Sequence, residues 1–224
     1  LIQQQDWNYL MSDNIYRENL PATQRDRRNE FIVSLPYSLN FRERTGNVSL
    51  PRGVLSGQNL YSLFLHLTIG FQHEMEFDNL PTPFGCVAAD VRTGKEVVFR
   101  KGILPEAIRA SMAIPGVFTP VEKDSMLLID GGVINNYPVD LARCMGADIV
   151  IGVIIPPDEK TIKKNRGNIA EIAEQLTNFV GKEKKSQNID DTDLLITPNV
   201  HPYGSMDFQK PVIDSLIARG EQAA

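Results

Sequence analysis

Histidine, cysteine and tryptophan are scarce in this 224-residue chain, with three, two and one of each. The two cysteines, Cys86 and Cys144, make neither a disulfide framework nor a C-x-x-C pair of the redox or zinc-binding kind. Cys86 stands in an apolar strand-like run and Cys144 in a helix-like run, and both read as buried free thiols, which behave as small hydrophobes. A single disulfide between them stays open at this level. His66, His73 and His201 show no H-E-x-x-H or other ligand spacing, so lone surface or core histidines are expected and a metal site is not. No apolar run approaches the roughly 18 residues of a membrane span; the longest, residues 149–155, is strand-sized. No basic stretch followed by an apolar one opens the sequence, so no signal peptide is legible. The opening Leu1-Ile2-Gln3-Gln4-Gln5-Asp6-Trp7, without Met, reads as the interior of a longer polypeptide. Charge is nearly balanced: 23 Lys plus Arg against 28 Asp plus Glu give a net −5, which supplies no global attraction for nucleic acid or anionic membrane.

What the chain does have is an ordinary globular composition, 42% apolar and 23% charged. Its length suits one domain with a substantial core. Residues 1–83 read as mainly helical and irregular. Helical segments are expected near 6–11, 24–35 and 60–69, with a loop or irregular hairpin over 41–53 and Ser56 as a helix cap. Residues 84–224 read as an α/β core. Short apolar strands are expected at 84–91, 96–100, 125–130, 148–155 and 194–197. Helices are expected from Pro105 to Met112, from Pro138 to Met145, and over 168–185 and 207–223. This alternation predicts a mostly parallel sheet covered by helices, with 149–155 as a central strand buried on both faces. The lysine-rich stretch 160–166 reads as a solvated loop rather than a lipid headgroup contact. Trp7 and Tyr9 read as packing for the first helix.

One run carries chemistry. Asp130 ends the apolar strand Met126-Leu127-Leu128-Ile129 and is followed by Gly131 and Gly132, then Asn135-Asn136-Tyr137-Pro138. In α/β sheets ligands bind beyond the carboxyl ends of strands, and glycines there let a substrate or another backbone approach closely. An aspartate capping the next turn explains the same pattern, and on pattern alone the two readings stand level.

The wider context favours the first. Cys86-Val87-Ala88-Ala89-Asp90, Thr93-Gly94-Lys95-Glu96-Val97-Val98, the stretch from Ala107-Ile108-Arg109-Ala110-Ser111-Met112-Ala113-Ile114-Pro115-Gly116 to Val121, the Asp-Gly-Gly run and Met145-Gly146-Ala147-Asp148 together resemble the second half of a bacterial patatin-like phospholipase. The close resemblance covers about residues 84–155. It implies a three-layer α/β/α sandwich and a lipid acyl hydrolase that works by a Ser-Asp dyad. In that family a serine on a G-x-S-x-G elbow is the nucleophile, and the aspartate of the Asp-Gly-Gly motif takes its proton; Asp130 matches that position. A carboxylate within hydrogen-bond reach can serve as such a base. The resemblance further implies a lipid or acyl-ester substrate, peripheral membrane contact and no cofactor, and leaves room for a homodimer; no nucleic acid partner is expected. The stretches Trp7-Asn8-Tyr9-Leu10 and Ser56-Gly57-Gln58-Asn59-Leu60-Tyr61 look like the exported, outer-membrane-associated type rather than the intracellular one.

The sequence departs from the family in one large respect. It contains no G-x-S-x-G and no glycine-rich oxyanion loop. Ser56 reads as a helix cap, Ser111 as structural and Ser205 as a turn or cap residue. The expectation is a chain that lacks the nucleophile-bearing N-terminal part of its domain and is inactive on its own. The competing reading is a patatin-like binding or scaffold module without catalysis. Smaller departures are Ser125, where a glycine is usual, and Ala89, where a threonine is common.

Overall fold

A computed structural model describes residues 2–13, 55–155, 181–204 and 207–224. The expected helix at 24–35, the loop at 41–53, the lysine-rich stretch 160–166, most of the expected helix at 168–185 and Ser205 lie outside the described residues.

The elements in chain order are α1 (Trp7–Leu10), α2 (Gln58–Leu67), β1 (Met75–Glu76), β2 (Cys86–Asp90), β3 (Lys95–Phe99), β4 (Lys101–Gly102) and α3 (Leu104–Ser111). They continue with β5 (Val121–Lys123), β6 (Met126–Asp130), α4 (Gly132–Asn135), α5 (Val139–Cys144), β7 (Ile151–Val153), α6 (Lys182–Asp190), β8 (Leu194–Ile196) and α7 (Lys210–Ala223).

The fold is α/β, but the expected mostly parallel sheet is not what the described residues form. The main sheet has four strands in the order β3-β2-β6-β5, and every neighbouring pair is antiparallel. Among the described residues, parallel pairing is confined to β7 with β8 and an isolated bridge between Leu55 and Phe118. The reason lies in the connections. Gly94, at φ 68, closes a tight turn between β2 and β3, and Asp124 and Ser125, at φ 48 and 65, close another between β5 and β6. Turns this short join antiparallel neighbours, because a parallel crossover needs a dozen or more residues. The left-handed Ser125 also explains why glycine suits that position.

Helix α3 lies on one face of this sheet. Pro105 occupies its first turn, where a missing N–H costs nothing. Its Leu104, Ala107 and Ala110 close a core with Phe77, Ala88, Phe99 and Leu128. A second cluster of Leu10, Leu60 and Phe118 joins α1 to α2. Trp7 stacks on Phe208 with ring centroids 4.6 Å apart, which ties the first helix to the segment leading into α7.

The segment 149–155 also departs from expectation. It contains a strand, but one face is solvated: Ile149, Ile151, Val153 and Ile155 are each more than half exposed. The opposite face is buried. There a Cβ on Gly152 would fall 1.5 Å from the Tyr137 hydroxyl oxygen, so only glycine fits against that ring. An unbroken β-branched run has the composition of a strand covered twice, yet composition does not say what covers it.

Candidate active site

Asp130 is the last residue of β6, opposite Ala88 of β2 in the antiparallel register. Its backbone N–H donates to Ala113 O at 3.0 Å, so the loop after α3 fixes the strand end. Gly131 and Gly132 then turn the chain into α4. Gly131 has an ordinary helical conformation, φ −66 and ψ −21, so its freedom of φ is not used. Space is what it provides: a Cβ there would sit 2.3 Å from Val87 O, inside the backbone of β2.

Gly132 N–H donates to Asp130 Oδ1 at 2.7 Å. Oδ2 has no hydrogen-bond partner among the described residues. The side chain is half-buried, and burial pushes its carboxyl above the usual carboxylate range, with the Gly132 N–H pulling the other way. The result is a carboxylate with one oxygen held, one oxygen free, and a raised affinity for a proton.

Asp90, at the end of β2, is the instructive contrast. It is buried, and its Oδ1 accepts from the backbone N–H of Leu127 and Arg92 at 3.0 and 3.2 Å, while Oδ2 accepts from Thr93 Oγ1 at 2.7 Å. These bonds, led by Thr93, hold its carboxyl below the usual range. Both its oxygens are engaged by the turns they stabilise. Two aspartates on neighbouring strands are thus pushed in opposite directions, which is how acid/base groups separate from structural ones.

Behind the Asp-Gly-Gly turn lies a polar network. Asn135, buried at the end of α4, donates from Nδ2 to Glu96 Oε1 and Asp140 Oδ1, both at 3.0 Å. Lys184 of α6 bridges the same two acids, 3.0 Å from Asp140 and in direct contact with Glu96. Sequence reasoning gave these groups no role. Asn135 sits in a motif it singled out, but nothing in the spacing of Glu96, Asp140, Lys184 or Asn188 brings them together.

Neither Ser56 nor Ser111 hydrogen-bonds Asp130. Ser111 ends α3 and lies beside Cys86. Ser56 Oγ donates to Asp13 Oδ1 at 2.6 Å and accepts from Gln58 N–H at 3.2 Å, so it does serve the start of α2, although the N-cap position itself is Gly57 at φ 73. Ser56, Tyr61, Glu106, Arg109 and Lys123 line an open cavity of about 340 Å³, and Asp130 is not part of it. Buried Arg109 clamps the floor of that cavity, donating from Nη2 to Ser56 O at 2.7 Å and to Thr119 O at 3.0 Å. Neither cysteine is in a disulfide; Cys86 is half-buried and Cys144 exposed, against the expectation that both are buried. Among the described residues no cluster of His, Cys, Asp and Glu could hold a metal ion, and no helix is long and apolar enough to cross a membrane.

Comparison with known proteins gives the family. Residues 5–143 match the family model described as patatin-like phospholipase. An uncharacterized NTE family protein of Mycobacterium tuberculosis is 44% identical over 82 residues, covering 37% of this chain and 23% of that protein. A second such protein of the same species is 28% identical over 181 residues, covering 70% of this chain and 31% of the relative. Patatin-like phospholipase domain-containing protein 7 of Rattus norvegicus is 35% identical over 97 residues, covering 42% of this chain and 7% of the relative. The chain thus spans less than a third of the length of these relatives. The family model alone covers well over half of the chain, and the chain belongs to the patatin-like phospholipase family.

Proposed function

We propose that this chain contributes the aspartate of a Ser-Asp dyad to a lipid acyl hydrolase, with Asp130 as the general base. The observation that carries the reading is the asymmetric state of that carboxylate. Oδ1 is held by Gly132 N–H at 2.7 Å, Oδ2 is free among the described residues, and burial raises its proton affinity. A base works best when its pKa lies near the operating pH, and an upward shift moves a carboxylate that way.

That geometry supports the following reaction. A serine Oγ–H, supplied by polypeptide outside these 224 residues, donates to Oδ2. The oxygen attacks the ester carbonyl carbon as the proton passes to Asp130. Collapse of the tetrahedral intermediate breaks the bond to the alcohol, which leaves with that proton. Water, deprotonated by the same carboxylate, then releases the acid and regenerates the serine. The substrate class is a lipid acyl ester. Peripheral contact with a membrane surface and an exported setting belong to the same reading, the latter supported by the character of residues 7–10 and 56–61.

The test is Asp130→Asn in the full-length protein. The variant keeps the size of the side chain and the acceptor for Gly132 N–H but cannot take a proton. Turnover should fall by about 10²-fold or more, with stability within about 1–2 kcal/mol of wild type. A folded variant with near-normal turnover would remove Asp130 from the mechanism.

A further inference from the structure

We propose that Asn188 is a positioning residue for the Asp130 carboxylate, acting through α4. This rests on Asp130 being the base. A helix of four residues cannot hold itself, since forming one turn fixes more dihedral freedom than its hydrogen bonds repay. Outside contacts must therefore hold α4, and both of its ends are held. At the first, Gly131 presses on the β2 backbone and Gly132 N–H reaches Asp130. At the second, Asn135 is gripped from three sides.

Asn188 makes the most distant of those contacts in sequence. It is 3% exposed, and its Nδ2 lies 3.1 Å from Asn135 Oδ1, 2.7 Å from Tyr137 O and 3.2 Å from Asp140 Oδ1. One buried amide group thus ties the end of α4, the loop after it and the start of α5 into one unit. Lys184 lies one turn earlier on the same face of α6 and pins Glu96 and Asp140, the two acids that accept from Asn135. Just past the helix, Thr192 meets the Tyr137 hydroxyl at 2.9 Å. Asn188 bonds the end of the short helix directly, while Lys184 and Thr192 hold the residues that pack around that end; the first N–H of the same helix sets the direction of the Asp130 carboxylate. Among the described residues, none of the three hydrogen-bonds Asp130 itself. Their effect on catalysis passes through the placement of Oδ1, and small misplacements at a reacting group are costly in rate.

A purely structural role would also make Asn188 valuable, so the experiment uses a matched control. Asn59 is a buried amide of the same kind, donating to Tyr9 O and Ser12 O at 3.0 and 2.7 Å, next in sequence to Leu60 of a different core cluster. Asn188→Ala, Asn59→Ala and Asp130→Asn are prepared in the full-length protein. Two readouts are taken: the split between kcat and KM, and the amide proton resonance of Gly132, which its bond to the carboxylate moves downfield. Asn188→Ala is expected to lower kcat about tenfold or more with KM within about twofold, and to move the Gly132 resonance upfield. Asn59→Ala should leave both where they are. Equal effects of the two Asn variants on both readouts would overturn the proposal while Asp130 stands as the base. If Asp130→Asn keeps its turnover, the base assignment fails, and the Gly132 resonance alone decides whether Asn188 holds the carboxylate. Should Asn188→Ala not fold, Lys184→Met takes its place. A smaller fall in kcat with the same upfield movement supports the proposal, and an unmoved Gly132 resonance overturns it.

Discussion

Gly131→Ala probes the tightest backbone approach at this site. The added methyl carbon would lie 2.3 Å from Val87 O, 2.5 Å from Val87 C and 2.8 Å from Val87 Cγ1. An ordinary carbon–oxygen contact is about 1 Å longer, so something must move by that amount. The obstacle is the backbone of β2, which is paired on both sides, to β3 and β6. A shift of β2 spoils two ladders; a shift of α4 pulls Gly132 N–H off Asp130. Overpacking of this kind costs about 1–3 kcal/mol, and a backbone obstacle puts the cost at the upper end. The φ of −66 already suits alanine, so the reduced freedom of the unfolded chain returns about 0.4–1 kcal/mol. The net loss is about 2 kcal/mol, or roughly 4–8 °C in melting temperature for a chain of this size. Gly132→Ala is the comparison. Its Cβ would meet Asn136 Oδ1 at 2.8 Å and Asp130 Oδ1 at 3.0 Å, both at the ends of side chains that can turn away. It should cost less than about 1 kcal/mol in stability yet disturb the Asp130 carboxylate and therefore turnover. Thermal unfolding followed by circular dichroism ranks the two. If Gly131→Ala melts within about 1 °C of wild type, or Gly132→Ala melts lower, the close-approach argument is wrong.

Three further outcomes are expected. Burial pushes the Cys86 thiol up to about 12, so iodoacetamide near neutral pH should modify exposed Cys144 and reach Cys86 only after unfolding; early modification of Cys86 in the native protein would contradict this. Asp193 accepts from Val150 N–H at 2.7 Å and pairs with Arg143, contacts that hold its carboxyl below the usual range. A depressed folded pKa contributes stability above the unfolded value of about 3.9 that is lost as pH falls through the folded one. Asp193→Asn should therefore lower stability at neutral pH and converge with wild type in acid, read from denaturant midpoints across pH; a difference that persists in acid would show that charge is not the cause. Finally, a serine-reactive fluorophosphonate should leave this 224-residue chain unlabelled, since the sequence contains neither a G-x-S-x-G elbow nor a glycine-rich oxyanion loop. Stoichiometric labelling at Ser56, Ser111 or Ser205 would contradict that expectation.

Much of the site was legible before any coordinates. Local rules govern what lies within a few residues: Pro105 inside a helix start, Gly94 in a turn, the Asp-Gly-Gly run at a strand end. These readings rest on backbone sterics and short-range hydrogen bonds, and neighbours along the chain are enough to state them. The antiparallel sheet was implicit in the short spacing between strands, yet the alternation of strands and helices suggested a parallel one. Spacing within hairpins is the more local signal, and it governed the pairing.

What the tertiary structure alone decided depends on residues distant in sequence. Asp90 and Asp130 both end apolar strands, and nothing in their flanking residues says that one has both oxygens engaged while the other keeps one free. That difference comes from which N–H and O–H groups the fold brings to each carboxylate, and hence which way its proton affinity moves. The exposed face of residues 149–155 has the same character: β-branched composition sets the extended conformation, while burial depends on what packs against it. Asn188 is the clearest instance. No local pattern marks it, because its partners Asn135, Tyr137 and Asp140 lie some fifty residues earlier and meet it only when α6 packs beside α4 and α5. Sequence by itself pointed to the family and put Asp130 at a strand end before two glycines; the packing of distant segments decided which groups surround that carboxylate.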